Sequence, residues 1–211
     1  AALAAAAGLP CEQWTADLSE PAPVAARLRA WLATQDAHTL ARVTLVNNAG
    51  LLPAIAPLGE LEAADLARAL RVDLEAPMLL TSAFLAATAG WTAERKVLNI
   101  SSGLGRRAMA SQAAYCAAKA GMDHFTRCVA LEEAGKQHGA RVCSLAPGVI
   151  DTDMQVQLRG ADSARFPDVG NFIGMKDKGL LTSPQEAAAR LLAWLARPDF
   201  GATPVADVRD A

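Results

Sequence analysis

Short apolar runs alternate with segments of helical periodicity along this chain. Between Val24 and Leu32 the apolar residues recur at the spacing of an amphipathic helix, and the largely apolar run from Val43 to Val46 follows. A short run of this kind is typical of a parallel strand that is buried on both faces. Because the alternation continues to the end of the chain, it predicts an α/β fold with a doubly wound parallel sheet.

The remaining elements are predicted from periodicity and from turn-forming residues. Helices are expected over Leu61 to Ala89, Ser111 to Glu133, and after Ser183, where a capping serine precedes Pro184. The polar stretch 152–182 is longer than most connections, so it is predicted to be a substrate loop within a single domain, 1–211. Ala1 to Leu9 is interpreted as the tail of a helix that Gly8 ends. Strands are predicted at Glu12 to Ala16, Val43 to Val46, Lys96 to Ile100, Arg141 to Ala146 and Pro204 to Val208.

Charge and composition narrow the classes of function. The chain carries 20 basic and 22 acidic side chains, and the basic residues are scattered, so no nucleic-acid partner is expected. No uncharged apolar run approaches the ~20 residues that a membrane helix needs. The start of the chain lacks the positive region of a signal peptide, and the four cysteines have neither metal-ligand spacing nor a C-x-x-C pair. We therefore expect a cytoplasmic protein with reduced, buried thiols, without a membrane or metal.

The residues with candidate chemistry follow the predicted strands. Tyr115 and Lys119 are four apart on a predicted helix and share one face, so the ammonium is expected to lower the pKa of the phenol and make it a general acid. Ser102 ends one strand, the turn 47–50 follows an earlier strand, and the segment 147–152 follows a later one. Parallel sheets bind ligands at these carboxyl ends, so the groups are predicted to share a site.

From Glu12 to Asp210 the chain resembles the short-chain dehydrogenase/reductase family, whose Rossmann-type sheet binds a nicotinamide dinucleotide. The resemblance implies that Tyr115 protonates the substrate oxygen, that Ser102 hydrogen-bonds the same oxygen, and that Lys119 holds the nicotinamide ribose. It also implies contacts to the cofactor from Asp17, Leu18, Asn47, Ala49, Gly50, Tyr115, Lys119, Pro147, Gly148, Ile150 and Thr152.

A narrower resemblance to the sepiapterin reductase branch rests on three segments, Y-C-A-A-K-A, A-L-E-E and A-P-G-V-I-D-T-D-M-Q. It implies NADP, with NAD not excluded, a small carbonyl substrate and a homodimer. Asp207 matches a carboxylate that anchors the pterin in that branch, and the alternative is a solvated side chain. Bacterial diketone reductases share these features, so the substrate is a pterin side chain or a vicinal diketone. The other hypotheses are a 3-oxoacyl reductase and a dehydrogenase-like binding protein without turnover.

Two departures from the family pattern affect these expectations. Asp73 stands where the family has an asparagine that bends a helix and positions a water for a proton relay to Lys119, and we include it among the catalytic residues. In addition, no Gly-rich phosphate turn precedes Asp17. We therefore expect the N-terminal β-α-β portion to be absent from the given chain, the natural polypeptide to start some tens of residues earlier, and these 211 residues not to fold stably alone.

Overall fold

The structure is a computed structural model that describes Gly8 and residues 10–210. The predicted helix tail over Ala1 to Leu9 therefore lies outside the described residues, apart from Gly8.

Four parallel strands form the sheet: β1, Arg42–Asn47; β2, Glu94–Ile100; β3, Arg141–Ala146; and β4, Val205–Asp207. Their order is β1-β2-β3-β4, with Val46 opposite Leu98 in the first pair and Leu98 opposite Cys143 in the second. Within the described part of the chain, no strand pairs with the outer edge of β1. The predicted Rossmann-like α/β fold is confirmed.

The helices cover the sheet, and their starts follow local sequence rules. The structure has α1, Pro21–Ala33; α2, Ala63–Leu70; α3, Ala76–Ala87; α4, Ala113–Ala134; α5, Asp153–Arg159; α6, Val169–Asp177; and α7, Pro184–Ala196. Ser183 caps α7 by accepting a hydrogen bond from the backbone of Glu186 at 3.1 Å. Between α2 and α3, the five residues Arg71–Glu75 form a π-helical turn, so the predicted long helix is present with a change of pitch at Asp73.

Alternating side chains of the strands build a core on each face of the sheet. Val97 and Val142 pack on one face with Leu32, Phe84 and Val129. Their neighbours in sequence, Leu98 and Cys143, pack on the other face with Leu145, Phe200 and Ala206. Both faces are therefore buried, as parallel strands require. No helix in the described residues is long and apolar enough to cross a bilayer.

Three sequence-based predictions are wrong in detail. Residues 12–16 do not form a strand, because the segment packs on α1 through side chains: the Trp31 indole donates to Glu12 at 2.9 Å, and the rings of Trp14 and Trp31 meet edge to face. The stretch 152–182 is mainly helical, since α5 and α6 bury an apolar cluster of their own, Leu158, Phe166, Val169 and Phe172. All four cysteines are free, as expected, but Cys11 and Cys128 are exposed.

Candidate active site

A cleft of about 1110 Å³ opens at the carboxyl ends of the strands. Residues that follow all four strands, and residues of α4, line this cleft, because parallel strands end at the same edge of the sheet. It therefore brings together most of the residues predicted from sequence. Those lining it are Ala49, Gly50, Ser102, Tyr115, Lys119, Pro147, Gly148, Ile150, Thr152 and Asp207.

Three predicted cofactor residues lie elsewhere. Asp17 and Leu18 precede α1 and do not line the cleft; the Asp17 carboxylate accepts the backbone N–H of Ser19 at 2.8 Å, which lowers the pKa of Asp17. Asn47 is buried at the end of β1, where its amide donates to Thr81 at 3.1 Å and to Asn99 at 2.7 Å. Asn47 therefore joins strands β1 and β2 to α3 beneath the cleft.

Lys119 is held by two groups inside the protein. Its Nζ donates to the carbonyl oxygen of Ile100 at 3.2 Å and lies 3.3 Å from Oδ1 of Asp73. The same Nζ is 5.5 Å from the centroid of the Tyr115 ring, one helical turn away on α4. Since Lys119 is 4% exposed, its ammonium faces Tyr115 from a fixed position.

Asp73 contacts Lys119 directly, and sequence reasoning missed this ion pair. Asp73 is fully buried on the π-helical turn, and both of its oxygens lie 3.3 Å from the backbone nitrogen of Leu51. Burial raises the pKa of Asp73, and the charge of Lys119 opposes this rise. A Cβ at Gly50 would approach Asp73 to 2.8 Å, so the turn at Gly50 requires glycine for Asp73 to fit.

Tyr115 keeps its proton more strongly than a free phenol does. Burial, and then the negative charge of Asp73, raise the pKa of Tyr115 to about 12, while a hydrogen bond with Ser102 lowers it. The prediction that Lys119 lowers the pKa of Tyr115 is therefore wrong, because the pKa of Tyr115 lies above that of a free phenol. The main reason is burial, and the negative charge of Asp73, which lies 3.3 Å from Nζ of Lys119, adds to it.

The family model for short chain dehydrogenases matches residues 6–163, three quarters of the chain, including Ser102, Tyr115 and Lys119. The chain belongs to the short-chain dehydrogenase family.

Named relatives agree with this assignment. A benzil reductase from Bacillus cereus is 37% identical over 158 residues, which cover 75% of this chain and 64% of that enzyme. A sepiapterin reductase from Meriones unguiculatus is 31% identical over 197 residues, or 92% of this chain and 73% of that enzyme. The crystal structure of a putative NAD(P)-dependent gluconate 5-dehydrogenase from Beutenbergia cavernae, with bound NADP, matches with a TM-score of 0.77 and 27% identity, covering 97% of this chain and 77% of that one. The match to the first of these spans less than two thirds of that relative's length.

In this short-chain dehydrogenase, the residues at the cleft fit the nicotinamide and ribose end of a dinucleotide. Gly148 has φ +82°, a left-handed conformation that turns its backbone past the end of β3. Thr152 begins α5 without using its side chain as a cap, so its hydroxyl remains available. Together with the Lys119 ammonium, these groups supply the hydrogen-bond donors that a ribose and a carboxamide need.

One wall of the cleft is apolar, a feature that the sequence-based prediction of a polar loop missed: it is formed by Leu52, Met109, Leu158, Phe172 and Met175. Polar side chains of the same segment, Gln155, Asp168, Asn171 and Lys178, also line the cleft. The spacing of Phe166, Val169 and Ile173, three to four residues apart, is the signal in the sequence that indicates apolar packing in this segment. The wall gives the cleft a surface for an apolar ligand.

Asp207 reaches the cleft but is already bound by Arg209, another residue that sequence reasoning missed. The Arg209 guanidinium donates to both oxygens of Asp207, at 2.8 and 2.6 Å, and its backbone N–H donates to Oδ1 at 3.0 Å. These bonds hold the pKa of Asp207 below its usual value. The carboxylate therefore meets a ligand as part of an ion pair.

Proposed function

We propose that the protein is an NADPH-dependent carbonyl reductase that acts on small ketones, vicinal diketones above all. The observation that carries the proposal is that Ser102, Tyr115 and Lys119 line one cleft, with Lys119 Nζ 5.5 Å from the centroid of the Tyr115 ring, where the pKa of Tyr115 is raised to about 12. At neutral pH such a phenol holds a proton that it can give to a carbonyl oxygen. The cofactor preference rests on the resemblance and on relatives, and NADH is the alternative.

The proposed reaction converts C=O to CH–OH. A bound reduced nicotinamide would supply a hydride to the carbonyl carbon and leave as the oxidised cofactor. Tyr115 donates its hydroxyl proton to the carbonyl oxygen, and Ser102 donates a hydrogen bond to the same oxygen while negative charge develops there. Lys119, fixed by Ile100 and Asp73, faces the ribose and the phenol together.

The shape and polarity of the cleft support a diketone as substrate. The wall that includes Met109, Phe172 and Met175 is apolar, and an aryl or alkyl group beside the reacting carbonyl gains free energy by packing there. The benzil reductase of Bacillus cereus provides the matching relative. A diketone has no N–H group to donate to Asp207, so its binding leaves the ion pair of Asp207 with Arg209 unchanged.

A pterin side chain is the second candidate, and the position of Asp207 supports it. The sepiapterin reductase of Meriones unguiculatus matches 92% of this chain, and Asp207 lines the cleft. To anchor a pterin, Asp207 has to accept a further hydrogen bond beside the three that it receives from Arg209, which leave about one of its four lone-pair sites open. We therefore place the diketone first.

The test uses the full-length protein with NADPH or NADH and three substrates, a benzil-type diketone, sepiapterin and a 3-oxoacyl thioester. We expect the diketone to have the highest kcat/KM, and we expect Tyr115→Phe to lower that value by about 10² or more. Glu132→Gln, an exposed change on the same helix, is the matched control. Full activity of Tyr115→Phe would overturn the assignment of the acid. Binding of NADPH by the wild type without turnover of any carbonyl would favour the binding-protein hypothesis.

The two substrate candidates are separated by Asp207→Asn. This change is expected to leave kcat/KM for the diketone within about twofold of the wild type. It is expected to lower kcat/KM for sepiapterin only if Asp207 anchors the pterin, because a charged hydrogen bond contributes about 1.5–3 kcal/mol. A diketone activity that falls in parallel with the pterin activity would show that Asp207 supports the fold of the cleft instead.

We also propose a homodimer that pairs through α2, α3 and α4. Leu70, Met78 and Leu131 expose 40%, 40% and 79% of their surface on these helices, which fits a covered face in a dimer. Light scattering on the purified protein is expected to give twice the chain mass, and Leu131→Glu is expected to shift it towards the monomer.

A further inference from the structure

A buried carboxylate that the proposed reaction does not use lies behind the catalytic residues. Asp123 is on α4, one turn beyond Lys119 and two turns beyond Tyr115, and it is 1% exposed. An ionised carboxylate at such a depth needs hydrogen bonds or opposite charge around it. The partners of the Asp123 carboxylate are Ser101, Ser144 and Arg106.

Both partners of Oδ1 are serine hydroxyls, one directly after a strand and one within the neighbouring strand. Ser101, directly after β2, and Ser144, in β3, each donate to Oδ1 of Asp123 at 2.6 Å. Ser101 also donates its backbone N–H to the carbonyl oxygen of Leu145 at 2.9 Å. The residue immediately before Ser102 is therefore fixed to the helix of Tyr115 and to the neighbouring strand.

The turn after Ser102 contacts the same carboxylate. Arg106 brings its Nε to 3.7 Å from Oδ2 of Asp123, and its Nη2 donates to the carbonyl oxygen of Ala206 in β4 at 3.3 Å. A Cβ at Gly105 would lie 2.9 Å from Oδ2 and 3.0 Å from the Lys119 carbonyl oxygen. The turn therefore packs so closely against α4 that a larger residue at position 105 would clash with it. Hydrogen bonds to Asp123 thus fix the chain directly before Ser102, and the turn after Ser102 packs against the same carboxylate without a hydrogen bond to Oδ2.

We propose that Asp123 is a positioning residue that holds Ser102 against Tyr115. The inference rests on the proposed function, because its consequence is alignment of the serine and tyrosine hydroxyls on one carbonyl oxygen. Asp123 itself does not touch that oxygen. A displacement of about 1 Å in such a site is sufficient to lower the rate by up to about 10².

The kinetic test compares two serine variants that each remove one hydroxyl from the same oxygen. Ser101→Ala breaks the bond next to Ser102, and Ser144→Ala breaks a bond of equal length away from it. We expect kcat for the diketone to fall about tenfold in Ser101→Ala, with KM within about threefold, and to stay within about twofold in Ser144→Ala. Asp123→Asn places an amide against Arg106 and is expected to match Ser101→Ala.

A double-mutant cycle separates positioning from a general loss of structure. In a Ser102→Ala background, Ser101→Ala is expected to lower kcat by less than about twofold, because the group it aligns is gone. An equal tenfold loss in both backgrounds would overturn the proposal, and so would an equal loss in Ser101→Ala and Ser144→Ala.

The third readout does not depend on catalysis. Tyr115 is the chain's single tyrosine, so a protein labelled at tyrosine Cζ gives one resonance that reports its hydroxyl. We expect Ser101→Ala and Asp123→Asn to shift this resonance in the same direction as Ser102→Ala, and Ser144→Ala to leave it in place. An unmoved resonance in Ser101→Ala and Asp123→Asn would refute the positioning role even if no carbonyl is reduced.

Discussion

Replacing Asp73 with asparagine is expected to lower the pKa of Tyr115. The wild-type value of about 12 reflects burial first and the negative charge of Asp73 second. Asparagine keeps the size of the side chain and an oxygen for the Leu51 N–H, but it removes the charge. The phenolate is then no longer repelled by Asp73, while Lys119 still attracts it, so the charged form becomes easier to reach.

The size of the effect follows from the distances. Because Lys119 Nζ is 3.3 Å from Asp73 Oδ1 and 5.5 Å from the Tyr115 ring centroid, the carboxylate lies within about 9 Å of the ring. With an effective dielectric constant of about 20, two unit charges at that separation interact by about 2 kcal/mol, which corresponds to between one and two pKa units. The pKa of Tyr115 in the variant is therefore expected near 10 to 11, by the same arithmetic.

The assay is a spectroscopic titration of Tyr115. Since the chain has one tyrosine, the ultraviolet absorbance of the phenolate, or the labelled Cζ resonance, reports this residue alone. The pH dependence of carbonyl reduction provides a second measurement. A protonated Tyr115 is required, so the rate falls as pH rises through the pKa, and the fall is expected one to two units earlier in Asp73→Asn.

The matched control is Glu75→Gln, which removes one negative charge from an exposed position on the same π-helical turn. Water screens that position, so the titration of Tyr115 is expected to move by less than about 0.3 units. An unchanged pKa in Asp73→Asn would refute the electrostatic account. An equal shift of the Tyr115 pKa in both variants would show that the pKa responds to the net charge of the protein and not to the buried pair of Asp73 and Lys119. Circular dichroism checks that both variants are folded.

Three further substitutions test packing and local structure. Phe84→Ala, at a side chain 2% exposed, is expected to lower the free energy of unfolding by about 3–5 kcal/mol in urea titrations, and a loss below 1 kcal/mol would contradict the assigned core. Ser183→Ala removes the hydroxyl that accepts the Glu186 N–H at the start of α7, and it is expected to lower the free energy of unfolding by about 1 kcal/mol. Ser183→Asn supplies another capping oxygen and is expected to retain most of that stability. Gly105→Ala forces the turn away from Asp123, so it is expected to lower both the melting temperature and kcat; an unchanged kcat would show that the turn moves freely.

The strands and the ends of several helices were predictable because their signals are local. Arg141–Ala146 is an apolar run stopped by a Pro-Gly pair, and α7 starts at a serine followed by proline. The site residues at the ends of the strands were predictable for a similar reason, since the parallel sheet fixes which positions share an edge. The four-residue spacing of Tyr115 and Lys119 is a weak signal alone, and it predicted a site only together with Ser102 and the turns after the neighbouring strands.

Contacts between distant segments were not predictable in the same way. Asp73 reaches Lys119 across 46 positions in sequence, and nothing in either local pattern specifies whether an aspartate binds the lysine directly or through water. The strand expected at 12–16 failed because a strand needs a partner edge, and in the structure this segment instead packs its tryptophan on α1. The pairing of Arg209 with Asp207 depends on the turn after β4, whose geometry the sequence pattern leaves open.

Two buried carboxylates, one on the π-helical turn and one on α4, affect different properties of the same tyrosine. Burial and the negative charge of Asp73 keep the pKa of Tyr115 near 12. In the proposed role, Asp123 holds the chain directly before Ser102 and packs against the turn after it, and so determines where the partner hydroxyl lies. A tyrosine with this pKa is protonated to within about one part in 10⁵ at neutral pH. Protonation of Tyr115 is therefore expected to leave the rate of the proposed reductase unchanged across the physiological range, and asparagine at position 73 would move the alkaline fall in rate to lower pH, still above that range.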